Sequence, residues 1–412
     1  MTRATGTGLF RLLMYGLILA SAAAQFALVP VMPVYAHRLG LSGLQQGLVL
    51  GATGLATLAV SLPAGTLSDR FGARRITLAA GLLMAAATFG QALAGSFPAL
   101  LAARLAFGAG YGVLWTAGLC WLAAGAAGPR ALGGSVASAG VGGVAGPAVS
   151  GALTEHLGLA VPLLAAGVGF AVITAGLAAL RMPPGPVAPR REAATASLRA
   201  AVRERDVIGA AAAVVTAGLS TGACALLVPA QLHLAGASSG QIGLAFAAAG
   251  MLFAAGSALT TAAGRRAVNL TVTCAAMLAL TAGLALGVLS AAPLVLIVML
   301  CAATAARSVL WTVSYPLAAE AAGRRGTGLG ASVGLLNGVW AATAVLGPLG
   351  AGLAAQHLGG RAAFGLTEAA CAAALAVTVV AARLADRAPV RLGAPIPAPG
   401  VDASASTASR RT

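Results

Sequence analysis

Twelve apolar runs, each roughly 20 residues long, divide this chain, and most of its charge is confined to the gaps between them. A helix of that length matches the hydrocarbon thickness of a bilayer, about 30 Å at about 1.5 Å per residue. The runs lie near 10–35, 44–67, 75–94, 98–122, 132–154, 159–181, 207–232, 240–262, 268–289, 293–318, 328–354 and 362–383. They predict an all-α membrane protein with twelve transmembrane helices. Only 8% of the 412 residues are charged, far too few to cover the surface of a soluble protein of this size. The net charge of +16 on its own would suggest a nucleic-acid partner. The basic residues, all arginine, argue against one, because they sit in short clusters between apolar runs instead of forming one patch. Arg3 and Arg11 precede the first run as in a signal peptide, but the run is too long for one, so a retained first helix is expected.

Arginine placement sets the expected orientation. With the N-terminus inside, the inner loops hold Arg70, Arg74, Arg75, Arg130, Arg265, Arg266, Arg324 and Arg325, while the outer loops hold only Arg38 and Arg361. Both termini are therefore expected in the cytoplasm of a bacterium, with the chain in its plasma (inner) membrane. A Pro-rich, then charged stretch divides the chain into an N-terminal six-helix bundle (1–181), a cytoplasmic linker (182–206), a C-terminal bundle (207–390) and a Pro/Ala/Ser-rich tail (391–412) expected to be disordered. Within the linker, Arg199–Asp206 is expected to form a short amphipathic helix.

The two halves repeat at an offset of about 200 residues. Val113-Leu114-Trp115-Thr116 recurs as Val309-Leu310-Trp311-Thr312. Gly146-Pro147, Gly151 and His156-Leu157-Gly158 recur as Gly347-Pro348, Gly352 and His357-Leu358-Gly359. A parallel repeat of six helices implies two pseudo-symmetric bundles about an axis along the membrane normal, with a binding site between them.

Three local patterns carry a family resemblance. After the second run the chain reads Gly65-Thr66-Leu67-Ser68-Asp69-Arg70-Phe71-Gly72-Ala73-Arg74-Arg75, a tight loop with one acid among arginines. The fourth run carries Arg104, then Gly108 and Gly110; the fifth reads Gly142-Gly143-Val144-Ala145-Gly146-Pro147-Ala148-Val149-Ser150-Gly151. Together these resemble the signatures of the major facilitator superfamily. The first departs at Ala73, the second has Phe107 where the family usually has Gln, and the third has Ser150 in place of a Gly. The third pattern resembles the antiporter motif of the twelve-helix drug:proton (efflux, multidrug resistance) branch. The resemblance implies the major facilitator fold, a monomer, coupling or gating roles for Asp69, Arg70, Arg104, Gly146 and Pro147, and a cavity lined by helices 1, 4, 7 and 10.

On helix 4, Arg104, Gly108, Tyr111 and Trp115 share one face; on helix 10, Thr304, Arg307, Trp311 and Ser314 share another. Arg307 lies about 21 Å along its helix, near the bilayer middle, where an ionisable group is a functional candidate by default. Arg307 is expected to contact an anionic or carbonyl-bearing substrate beside Trp115, Trp311 and Tyr315; the bland alternative is an arginine paired with backbone carbonyls or Glu320. Gln25, Tyr111, Thr216, Ser220, Thr221 and Asn337 are further polar candidates, packing being favoured for Asn337. No acid falls in helices 1, 4, 7 or 10, so neutral or anionic substrates are expected over dicationic ones. Glu368 is the acid farthest inside a span and a weak proton-site candidate; Asp69, Glu155, Glu320 and a histidine are others.

The five cysteines lie in apolar runs without CxxC spacing, and the histidines form no HExxH, so no metal or other cofactor is expected. The sequence reads as a proton-driven exporter of drug-like compounds or metabolites. The alternative is an importer or uniporter of sugars or organic anions. An enzyme is disfavoured for want of a nucleophile–base pair or phosphate loop, and a membrane sensor for want of a signalling domain.

Overall fold

The computed structural model describes residues 3–125, 130–180, 204–325 and 329–387. Among the described residues there are twelve long helices: α1 (Arg3–Leu39), α2 (Gly43–Phe71), α3 (Ala73–Leu93), α4 (Phe97–Val113, continued by a π-turn Leu114–Gly118 and by Leu119–Gly125), α5 (Arg130–Leu157), α6 (Val161–Ala179), α7 (Arg205–Leu234), α8 (Ser239–Ala263), α9 (Leu270–Leu289), α10 (Pro293–Arg325), α11 (Leu329–Leu358) and α12 (Gly360–Arg387). All twelve contain a stretch long and apolar enough to cross a bilayer. Most of the expected linker and all of the expected tail lie outside the described residues. At the linker's end, α7 begins at Arg205, and Asp206 is buried in its first turn.

Helix ends repeat as the sequence does. The positive-φ glycines come in three matched pairs: Gly40 and Gly236 ending α1 and α7, Gly72 and Gly264 ending α2 and α8, Gly158 and Gly359 ending α5 and α11. Each turns the chain sharply where a side chain would be strained. The N-termini of α2 and α8 carry the same reciprocal cap, Ser42 with Gln45 and Ser238 with Gln241. Arg74, at the start of α3, donates to the Ala178 and Leu180 carbonyls at the end of α6, satisfying acceptors that the helix leaves open.

Within lipid, side chains gain little from leaving the solvent, so helices associate where small residues let backbones approach. The glycine-rich segment of α5 does this on two faces. Gly142, Gly146 and Ser150 run along α1 against Leu19, Ala23 and Ala27, and the Ser150 hydroxyl donates to the Ala27 carbonyl at 2.7 Å. Pro147 and Gly151 face the other half, against Gly243 and Ser239 of α8. In α11, Gly347 likewise packs on α7, while Pro348 and Gly352 meet Gly47 and Gly43 of α2. One motif thus holds its own half together and supplies the seam to the other.

A Cβ at Gly146 would run into the Ala23 backbone, whereas one at Gly169 of α6 meets open space. Gly146→Val is expected to destabilise the protein by about 1–3 kcal/mol. Gly169→Ala is expected to be neutral or stabilising by up to about 1 kcal/mol. Loss of monodisperse protein on heating in detergent reads both.

Candidate functional site

The end of the molecule carrying residues 3 and 387 is here the near end; the opposite end is the far end. The far halves of the helices form two seams between α1–α6 and α7–α12. Along one, Gly43, Gly47, Gly51 and Gly54 of α2 lie against Gly352, Pro348, Val345 and Ala344 of α11. Along the other, Val144, Pro147 and Gly151 of α5 lie against Gly250, Gly243 and Ser239 of α8. Below these seams is a cavity of about 430 Å³, extending toward the near end as far as Val136 and Trp340.

Eight helices line it: α1, α2, α4 and α5 from one half, α7, α8, α10 and α11 from the other. The expected lining of α1, α4, α7 and α10 is therefore incomplete. α2, α5, α8 and α11 also reach the cavity because their seams close directly over it. Pro147, a coupling or gating candidate, lines it too, and Thr53, Phe246, Phe253 and Trp340 are lining residues that sequence reasoning did not single out. Phe246 and Phe253, seven apart on α8, share a helical face, but an apolar face in a membrane helix is equally suited to lipid.

Two arginines line the cavity, one from each half, and no acidic residue is among the lining residues. Arg104 of α4 is 1% exposed. Its guanidinium donates to the backbone carbonyl of Gln25 at 2.8 Å and to the Gln25 side-chain oxygen at 3.1 Å, and it lies over the Phe107 ring at 5.3 Å. Phe107, the departure from the family pattern, thus gives the cation a ring face. Arg307 of α10 donates to Thr304 on its own helix at 2.7 Å, and its Nη1 has no hydrogen-bond partner. A buried cation without a carboxylate is costly, and an anion in the cavity would offset that cost. Glu320, the alternative partner, instead pairs with Arg265 at 3.7 Å, where Arg265 is 92% exposed. A pair that open contributes little.

The other candidates divide. Gln25, Tyr111, Thr221 and Trp311 line the cavity. Trp115 does not: it stands beside Tyr111, ring centres 6.0 Å apart, against the core of the first half. A π-turn, Leu114–Gly118, runs through this position. Tyr315 also lies outside the lining, one turn nearer the near end, stacked on Trp311 and bonded through its hydroxyl to Asn337 at 2.8 Å. Thr216 and Ser220 are buried and return their hydroxyls to carbonyls of α7. Glu368 is half-buried on α12, a helix that does not reach the cavity. Arg70 is exposed, with its guanidinium over Phe71; the backbone of Asp69 lies in the last turn of α2. No cluster of metal-ligating side chains occurs among the described residues.

A central cavity walled by both halves of a twelve-helix bundle, with buried charge at its lining, defines a membrane transporter. Residues 14–333 match the family model of the Major Facilitator Superfamily, and the chain belongs to that superfamily. A relative from Bacillus subtilis (strain 168), the uncharacterized MFS-type transporter YuxJ, is 37% identical over 139 residues. That match spans 32% of this chain and about a third of the relative, 35%. Two solved structures of a bacterial homolog of the human lysosomal transporter Spinster share the fold. The inward-facing, occupied form gives a TM-score of 0.75 at 17% identity, covering 92% of this chain and 97% of that one. The inward-facing, unoccupied form gives 0.74 at 16%, covering 93% and 98%.

Removing the Gln25 side chain takes one of the two acceptors from a buried guanidinium. Gln25→Ala is expected to destabilise the protein by about 1–3 kcal/mol. Arg104→Met in the same background should recover part of that loss, because the cation needing the acceptor is gone. Thermal unfolding of the two single variants and the double variant checks the coupling.

Proposed function

We propose that this chain is a secondary exporter of small neutral or anionic molecules, driven by proton antiport, in the inner membrane of a bacterium with both termini cytoplasmic. The observation that carries this reading is the cavity, lined by Arg104 and Arg307 from opposite halves and by no acidic residue. With the arginine-rich loops inside, the far end faces outward, so its two seams close the cavity to the outside and the protein stands inward-facing. Alternating access then consists of the two halves rocking about the cavity, opening the seams while the near end closes. Arg307 is the substrate-contacting cation, because it bonds only within its own helix, whereas Gln25 of α1 holds Arg104 in place. Gln25, Tyr111 and Trp311 complete the contact surface; Trp115 and Tyr315 support it from behind and below. Pro147 and Gly151 give the rocking seam its close approach, Gly146 holds α5 on α1 behind it, and Asp69 and Arg70 gate the near end. The efflux direction rests on the glycine–proline segment of α5, which resembles the antiporter motif. The partners are protons, the substrate and lipid, and the working unit is a monomer. An importer or uniporter of organic anions would use the same cavity.

Inside-out vesicles energised to an acidic interior should release protons when a transported compound is added, and vesicles without the protein should not. No release across a chemically diverse panel, with folded and abundant protein, would overturn proton antiport. Arg307→Ala is expected to lower apparent affinity for anionic compounds about tenfold or more. Unchanged affinity and transport in correctly inserted Arg307→Ala protein would remove Arg307 from the site.

A further inference from the structure

The two far-end seams are locked by the same construction with one difference. Two residues past the capping serine of α2, the Leu44 N–H donates to the side-chain oxygen of Gln356, at the end of α11, at 3.2 Å. At the matching place in α8, two residues past Ser238, the Gly240 N–H donates to Oε2 of Glu155, at the end of α5, at 3.0 Å. Glu155 and Gln356 are themselves matched, each preceding a His-Leu-Gly triplet. The repeat thus places a carboxamide across one seam and a carboxylate across the other. The carboxylate takes a second bond, from the Ser238 hydroxyl at 2.8 Å, and faces the positive end of the α8 helix dipole.

We propose that Glu155 is a proton-operated latch for the α5–α8 seam: ionised, it holds the far end closed; protonated, it lets that seam part, while the α2–α11 seam, held by Gln356, does not respond to protons. This rests on the proton-antiport reading above and adds to it the residue through which far-side protons act. The carboxylate is exposed at the far end, so solvent on that side reaches it. In the closed state its charge is met by two donors from α8; in a parted state it loses both. Neutralising the carboxylate takes the charge out of both bonds across the seam, which shifts the population toward the parted state. The elements packed on the end of α5 leave this control to Glu155. α6 and α8 carry no titratable side chain, α1 contributes His37 and Arg38 in its last turn, and α5 itself adds His156. Among the described residues no ion pair links any of these to Glu155.

The test reads the seams without substrate or gradient. Spin labels at Ala152→Cys and Leu244→Cys report the α5–α8 distance, and labels at Leu353→Cys and Leu48→Cys report α2–α11, in protein with its five native cysteines replaced and held in lipid nanodiscs. Charge-assisted hydrogen bonds are about twice as strong as neutral ones. Lowering the pH from about 7.5 to about 4.5 is therefore expected to raise the open-to-closed ratio of the α5–α8 seam about three- to tenfold, leaving α2–α11 unchanged. E155Q, which copies the Gln356 arrangement, should abolish the response. Q356E should create a pH response across α2–α11. The same response in E155Q as in the parent protein would overturn the proposal, as would the absence of a response in both the parent and Q356E. Failure of proton release in vesicles, with these distance changes intact, would count against antiport and leave the latch standing.

Discussion

Close approach of helix backbones in an apolar solvent is the constraint on which the rest of this structure depends. A bilayer offers no partner for an open N–H or C=O, so each crossing segment must be a helix. It also withholds most of the driving force that would press helices together in water. The chain's many glycines answer both conditions at chosen places. Gly142 and Gly146 bring α5 onto α1, and Gly43, Gly47, Gly51 and Gly54 bring α2 onto α11. A cavity survives between the halves because the α2–α11 and α5–α8 contacts are confined to the far half of each helix.

What the sequence made legible follows from how each feature is encoded. A span is written in one dimension, as a run of apolar residues, and all twelve could be placed from hydropathy alone. The matched halves were legible because tryptophan, histidine and proline recur in order, and the paired positive-φ glycines put that repeat into the backbone. The cavity wall was half legible. Arg104, Tyr111, Arg307 and Trp311 announce themselves as polar or aromatic groups on one face of a helix. Phe246, Phe253 and Trp340 do not, because in a membrane protein an apolar side chain suits lipid, a neighbouring helix and a ligand cavity equally well. The π-turn Leu114–Gly118 was not legible either, because none of its residues advertises it.

The two cavity arginines are similar in burial and different in chemistry. Arg104 is bound to the carbonyl and side chain of Gln25 on another helix, so it ties α4 to α1. Arg307 bonds only within α10 and keeps an unpaired nitrogen. Desolvating a guanidinium costs several kcal/mol, and the protein offsets part of that cost at each position, with two acceptors from α1 at Arg104 and one hydroxyl of its own helix at Arg307, leaving unpaired nitrogens on both. Charge left unmet at a cavity lining favours ligands that complete it, which is how a mostly apolar cavity becomes selective without a carboxylate of its own.

The repeat also shows where symmetry ends. Aligning Trp115 on Trp311 sets Tyr111 against Arg307, and aligning the His-Leu-Gly triplets sets Glu155 against Gln356. The glycine seams, the serine caps and the glycine turns stay matched, because both halves must solve the same packing problem in the same solvent. The divergent pairs sit at the cavity and at the far-end seams, the two places where a transporter's halves must do different things. A symmetric pair of bundles can close over a ligand, but it gains direction only if one half binds or releases something the other does not. In this chain the asymmetric groups are a cation at the cavity and an acid at a seam, separated along the helix axes.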